Sequence, residues 1–305
     1  VHDNLRDAVT FWDGIPLPDG VLLIGGLDAQ PDTRHTVVAR IRDDKKSIWT
    51  LEWQARMVLP LKDGAAFALL VGVDGETCSV SDNGITELPP LPIHAREDKF
   101  GSLLGGRVIE GEAVVVGYRN QVHVRGPGAP WRTQDAGLPG RADTAARVFG
   151  LEAVDGFSLA HLYAVGMKGA IWYREGGAWH AVDSPTNVRL TAVHCAPDGW
   201  VYACGQHGVV LRGLRDQWAV VADDAAISYL WGIATVGGRV VASSNLVMYQ
   251  VDDSGLVPYP FADLNPDDQK LPFSFFRLLP EADTVLSVGP KDVLRLAADS
   301  WHRIV

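Results

Sequence analysis

Two stretches decide the reading of this chain: YAVGMKGAIWYREGGAWHAV (163–182) and YACGQHGVVLRGLRDQWAVV (202–221). They begin 39 residues apart, and Tyr, Ala, Gly, Gly and Trp fall at matching places in both. The shared text is either a chemical site used twice or a structural unit. The same skeleton returns as VLLIGG (21–26), ALLVGVDGETCSV (68–80), AVVVGYRNQVHVR (113–125), VVASSNLVMYQV (240–251) and TVLSVGPKDVLRL (284–296). A small residue closes the first apolar run of each copy: Gly25, Gly72, Gly117, Gly166, Gly205, Ser244 and Gly289. Successive spacings are 47, 45, 49, 39, 39 and 45. A large apolar residue follows at a nearly constant distance, as Ile85, Trp131, Trp179, Trp218, Leu256 and Trp301, with Trp49 or Trp53 in that role in the longer first copy. Seven copies make this a structural repeat.

Each copy reads as four short strands. Around Gly205 these are LTAVHCA (190–196), WVYACG (200–205), VVLRG (209–213) and QWAVV (217–221). Turns at Pro197-Asp198-Gly199, Gln206-His207-Gly208 and Leu214-Arg215-Asp216 separate them. Runs rich in Val, Tyr and Trp, broken by Gly, Asp and Pro, are strand and turn signals. Four-stranded units of about 40 residues repeated seven times predict an all-β fold, a seven-bladed β-propeller with four antiparallel strands per blade. Residues 1–305 then form one domain. A lone blade has two apolar faces, and stacking around an axis covers both. The recurring Trp is expected between blades, and the recurring Gly where the chain leaves the second strand without room for a side chain. AVTFWDGIPL (8–17) supplies the first inner strand and SWHRIV (300–305) the last outer one, so the ring closes with little or no exchange between termini. The segment 143–154 is expected to be the inner strand of its unit.

The unit VGMKGAIWYREGGAWHAV (165–182) resembles the repeat of bacterial neuraminidase (Asp-box) and photosystem II assembly-factor propellers, roughly V-G-x-x-G-x-[IV]-x-x-[ST]-x-D-G-G-x-x-W. The VG turn and the GG-x-W end stand at 165–179; Glu175 replaces the Asp, and the Ser/Thr is missing. The resemblance implies architecture and brings no catalytic residue with it.

The chain is acidic, with a formal net charge of -10. That disfavours nucleic acid, which needs a basic stripe, and anionic membranes; a basic protein would suit it. No apolar run approaches the ~20 residues of a membrane span. Cys78, Cys195 and Cys204 lack metal or disulfide spacing. Hairpin pairing would set Cys195 near Val201 and Cys204 near Ala192, out of reach of each other. A reducing, cytoplasmic setting is expected, or a periplasmic one if a leader preceded Val1. No nucleophile, zinc, phosphate-loop or calcium motif is present. The paired acids 223–224, 252–253 and 267–268 read as solvated turns, the strand histidines as structural residues. No catalytic residue, metal or cofactor is assigned.

Function on such scaffolds sits on loops. The turns between second and third strands share an end of the propeller with the inter-blade loops. On that face Tyr118, Arg119, Lys168, His207, Tyr229 and Lys291 are the candidate partner-binding residues, since aromatics and cations anchor interfaces. Trp231, Phe273 and Phe276 serve either the same face or the core. The expectation is a non-catalytic protein-binding propeller, of the kind a bacterial inhibitor or immunity protein would be. Two alternatives stand beside it: a carbohydrate-active propeller, with carboxylates and arginines converging on the axis from several blades, and an assembly or scaffold factor.

Overall fold

The computed structural model describes residues 3–42, 45–93, 101–139, 150–252, 254–259, 273–281, 284–297 and 300–305. They build seven four-stranded antiparallel sheets, each with its strands in chain order. Blade 1 is Val9–Leu17, Gly20–Leu27, Thr36–Arg42 and Lys45–Leu51. Blade 2 is Ala55–Leu59, Ala66–Gly72, Thr77–Ser81 and Gly84–Leu88. Blade 3 is Leu103–Ile109, Glu112–Gly117, Val122–Arg125 and Arg132–Thr133. Blade 4 is Leu151–Ser158, His161–Gly166, Ile171–Glu175 and Ala178–Ala181. Blade 5 is Leu190–Cys195, Val201–Gly205, Val210–Leu214 and Gln217–Ala222. Blade 6 is Gly232–Val236, Arg239–Ser243, Met248–Asp252 and Gly255–Pro258. Blade 7 is Arg277–Glu281, Thr284–Val288, Val293–Ala297 and Ser300–Arg303. Residues 151–154 form the start of an inner strand as expected, while 143–149 lie outside the described residues.

The core is seven seams. Each hydrophobic cluster combines residues of two neighbouring blades, and the seventh joins blade 7 to blade 1. In that seventh seam Phe11, Val21 and Leu23 meet Leu286, Val288 and Val293, with Leu5 and Val305 packed alongside. The outer-strand residues go where the repeat places them. Trp179 and Trp301 are buried in seams, and Trp49, Trp53, Ile85, Trp131, Trp218 and Leu256 pack partly buried against them. Among the described residues no strand is exchanged between termini. Polar contacts reinforce the closure instead: Phe11 N–H donates to the Pro290 carbonyl at 2.9 Å. Buried Asp292 receives Arg303, Arg6 (3.3 Å) and the Ser274 N–H (2.8 Å).

The recurring glycine has a specific cause. In blades 3, 4 and 5 the residue after it donates its N–H to a carbonyl of the incoming inter-blade loop: Tyr118 to Ser102 (3.0 Å), Met167 to Gly150 (3.0 Å) and Gln206 to Arg189 (2.9 Å). That carbonyl leans over the glycine Cα. A Cβ on Gly117, Gly166 or Gly205 would stand 2.4, 1.9 or 2.0 Å from it. These bonds also fix the second-to-third-strand turns and the inter-blade loops at one end of the ring.

Two buried aspartates pin inner strands together across seams. Asp13 of blade 1 accepts the Val58 N–H of blade 2 (3.0 Å) and pairs with Arg277 of blade 7 (3.3 Å). Asp155 of blade 4 does the same with the Cys195 N–H of blade 5 (2.9 Å) and Arg107 of blade 3 (3.5 Å), and also meets His194 (3.5 Å). Burial by itself would raise the Asp155 carboxyl; Arg107, His194 and the Cys195 N–H together hold it below its ordinary value.

Two outcomes are expected. Gly205→Ala lowers stability by about 1–3 kcal/mol, read from urea unfolding. Asp155→Asn strands an arginine and weakens the seam, at a cost of about 3–5 kcal/mol at neutral pH. Because the folded carboxyl is depressed, its stabilisation is complete above about pH 4 and fades as pH falls through the folded value. The stability gap between wild type and Asp155→Asn therefore narrows in acid.

Candidate functional site

The hairpin turns of blades 3, 4 and 5 are built alike. Arg119-Asn120, Lys168-Gly169 and His207-Gly208 are each a pair of residues at positive φ (59° and 55°, 55° and 73°, 58° and 63°). That is the tight mirror-image turn matched to strand twist. Arg119, Lys168 and His207 thus occupy one equivalent left-handed position in three consecutive blades. Lys168 and His207 are exposed and Arg119 is half-buried. The sequence repeat already contains this arc, as a basic or imidazole residue two places after Gly117, Gly166 and Gly205.

The other three expected residues sit differently. Tyr118 bridges by backbone to Gly150, and Tyr229 to Gln206. The Gln206 side-chain amide donates to the Tyr229 hydroxyl at 2.6 Å, and its carbonyl accepts the Arg189 N–H at 3.2 Å. Both tyrosines lie close enough to Arg189 to act on it electrostatically. Lys291 is engaged at the closure, where its ammonium binds Asp28 and the Val9 carbonyl (3.1 Å). Phe273 is in the blade 6–7 core.

The tyrosines stand beside a feature that period-two reading does not show. The inner strands of blades 1 to 5 each carry a β-bulge one residue after the partner of the recurring glycine. The extra residues are Trp12, Arg56, Leu104, Glu152 and Thr191, and all five line a cavity of about 30 Å³ on the axis. A bulge leaves one residue out of the ladder and re-aims its side chain, here toward the axis. Blades 6 and 7 complete the lining with Trp231 and Phe276, which precede their inner strands, and with Arg277. Tyr229 stacks on Trp231 (centroids 4.6 Å apart) and Trp231 leans on Phe276 (5.0 Å), so an aromatic ladder leads inward from the turn face. Arg189 binds Glu152 at 2.8 Å.

Carboxylates and arginines do converge on the axis from several blades, as the carbohydrate-active alternative requires. Their chemistry is wrong for it. Asp13, Glu152 and Asp155 are each paired with an arginine, and Asp155 is held below its ordinary value, whereas glycoside cleavage needs one carboxyl kept protonated. Among the described residues no group of His, Cys, Asp and Glu is arranged to hold a metal. Asp224 and Asp252 are turn acceptors, for the N–H groups of Ala226 (3.0 Å) and Ser254 (2.8 Å). Burial pushes the Cys78 and Cys204 thiols up to about 12, and Cys195 upward as well. All three cysteines are free, with Cys195 opposite Val201 and Cys204 opposite Ala192 as the hairpin reading requires.

The opposite face holds a patch that sequence reasoning passed over. Phe157, Trp200 and Leu214 of blades 4 and 5 are 42%, 42% and 40% exposed. The Arg212 guanidinium covers the Trp200 ring at 5.0 Å.

No family model matches the sequence. Among solved structures, the WD40 β-propeller domain of Doa1 superposes with a TM-score of 0.66 at 10% identity, covering 94% of this chain and 92% of that one. YCF48 bound to D1 peptide gives 0.66 at 14% identity, over 94% and 91%. Both likenesses are of fold. Sequence similarity goes further: 257 residues, 83% of this chain, are 33% identical to the immune protein Tsi7 of Pseudomonas aeruginosa, over 81% of that protein. On that extent of identity, the chain belongs to the family of the immune protein Tsi7.

Proposed function

We propose that residues 1–305 act as one propeller domain, an immunity-type protein that neutralises a toxin by binding it on the face carrying Tyr118, Arg119, Lys168, His207, Tyr229 and Lys291. The carrying observation is the identity to an immune protein across 83% of the chain. The paired state of the axial carboxylates supports binding rather than catalysis. The arc of three equivalent turn residues and the neighbouring aromatic ladder supply anchor types enriched at interfaces. A net charge of -10 favours a partner of basic character, through steering more than through affinity. Three unbridged cysteines are in keeping with action in the cytoplasm. No helix among the described residues is long and apolar enough to cross a membrane. The degenerate Asp-box reading belongs to this proposal too: its two glycines, Gly176 and Gly177, form a turn at φ 62° and 88°.

The exposed Phe157–Trp200–Leu214 patch favours a second placement of the partner, on the opposite face. One experiment separates the two. The toxin that co-purifies with the tagged chain is titrated against Tyr118→Ala, Arg119→Ala and Lys168→Ala. Each variant is expected to weaken binding by about 1 kcal/mol or more without lowering the melting temperature. Binding that survives all three and fails with Trp200→Ala puts the partner on the opposite face.

A further inference from the structure

The axial mouth holds more positive charge than its own carboxylates neutralise. Three guanidiniums line it, Arg56, Arg189 and Arg277, against two carboxylates, Asp13 and Glu152. Asp13 takes Arg277 and Glu152 takes Arg189, at 3.3 and 2.8 Å. Arg56 is left over. Its Nε donates to the Leu104 carbonyl at 2.9 Å, and its terminal nitrogens meet no acceptor among the described residues. Burial disfavours its charged form and Arg277 adds repulsion, only partly offset by Glu152 and Asp13. An arginine cannot escape by losing its proton, so the charge stays. Two more buried donors in the same lining, Trp231 Nε1 and Arg189 Nε, have no hydrogen-bond partner among the described residues. A chain of net charge -10 thus concentrates uncompensated positive charge and unused donors on its axis.

We infer that the mouth is a carboxylate-binding site, filled by an Asp or Glu side chain that the partner inserts past the Tyr229–Trp231–Phe276 ladder. This rests on the reading that the partner docks on the turn face. A cavity of about 30 Å³ admits about two water-sized groups, the size of a carboxylate's two oxygens. A third carboxylate equalises the charge at three against three. Glu152 Oε1 is a buried acceptor without a partner in the same lining. An amide would serve that oxygen but would leave Arg56 uncompensated, so charge decides for the carboxylate.

Acetate and acetamide differ in charge and hardly in shape, which makes them the probes. Titrated into the wild-type chain, acetate is expected to shift the Trp231 indole N–H resonance saturably, and acetamide is not. Arg56→Met should weaken acetate by about tenfold or more, the loss of a charge-assisted hydrogen bond, and Arg56→Lys should retain part of it. Partner binding should fall with Arg56→Met by a similar factor. A non-saturating acetate shift, or equal response to acetamide, overturns the site. Acetate binding with partner affinity untouched by Arg56→Met overturns the partner's side chain as its occupant and leaves a free small carboxylate. If Tyr118→Ala, Arg119→Ala and Lys168→Ala leave partner binding intact while acetate still binds, the docking face fails and the anion site stands.

Discussion

Every sheet in this protein has two apolar faces, and no sheet can cover its own. That constraint sets the rest. Ten or more buried residues fill each seam. At about 1.5–3 kcal/mol for each buried side chain, exposing one seam would rival the ~5–15 kcal/mol of net stability that domains possess. The stack must therefore end on itself. Closure here needs no shared strand: Phe11 and Leu286 meet in the seam, the Phe11 N–H reaches the Pro290 carbonyl, Asp292 gathers Arg6 and Arg303, and Lys291 reaches Asp28 and the Val9 carbonyl.

Closing the ring also creates the axis. Inner strands converge there, and five of them bulge at one equivalent position, so the same repeat that builds the core delivers five different side chains to one point. The scaffold positions are fixed while their chemistry is free to vary: Trp12, Arg56, Leu104, Glu152 and Thr191 share an address and little else. The turn face follows the same logic. Arg119, Lys168 and His207 occupy one conformational slot in three blades. A face assembled this way can change its side chains without disturbing the seams.

The architecture was legible because its cause is local and repeated. In five copies the glycine reports a backbone carbonyl packed against it, as at Gly166 and Gly205, and the large apolar residue twelve to fourteen places on reports a seam. The turn residues were legible for the same reason. The closure contacts of Lys291 were not, because they depend on where the chain's beginning arrives in space. The axial residues were missed because a bulge breaks the alternation by which strand faces are read. Arg56 and Glu152 look like ordinary solvent-facing strand positions until the register to Gly72 and Gly166 is known. Trp200 and Phe157 flank short strand-to-strand turns, where the sequence alone does not separate an exposed ring from a core one.

The closed ring is tested most directly at its last seam. Phe11→Ala removes a fully buried side chain between blades 7 and 1, at a cost of about 3–5 kcal/mol. Backbone amide hydrogen exchange then reads how far the loss travels. In a ring closed without a shared strand, protection should fall in all seven second strands together. Faster exchange confined to blades 1 and 7, with blades 3 to 5 unchanged, would show that the sheets stand without closure and would contradict the account.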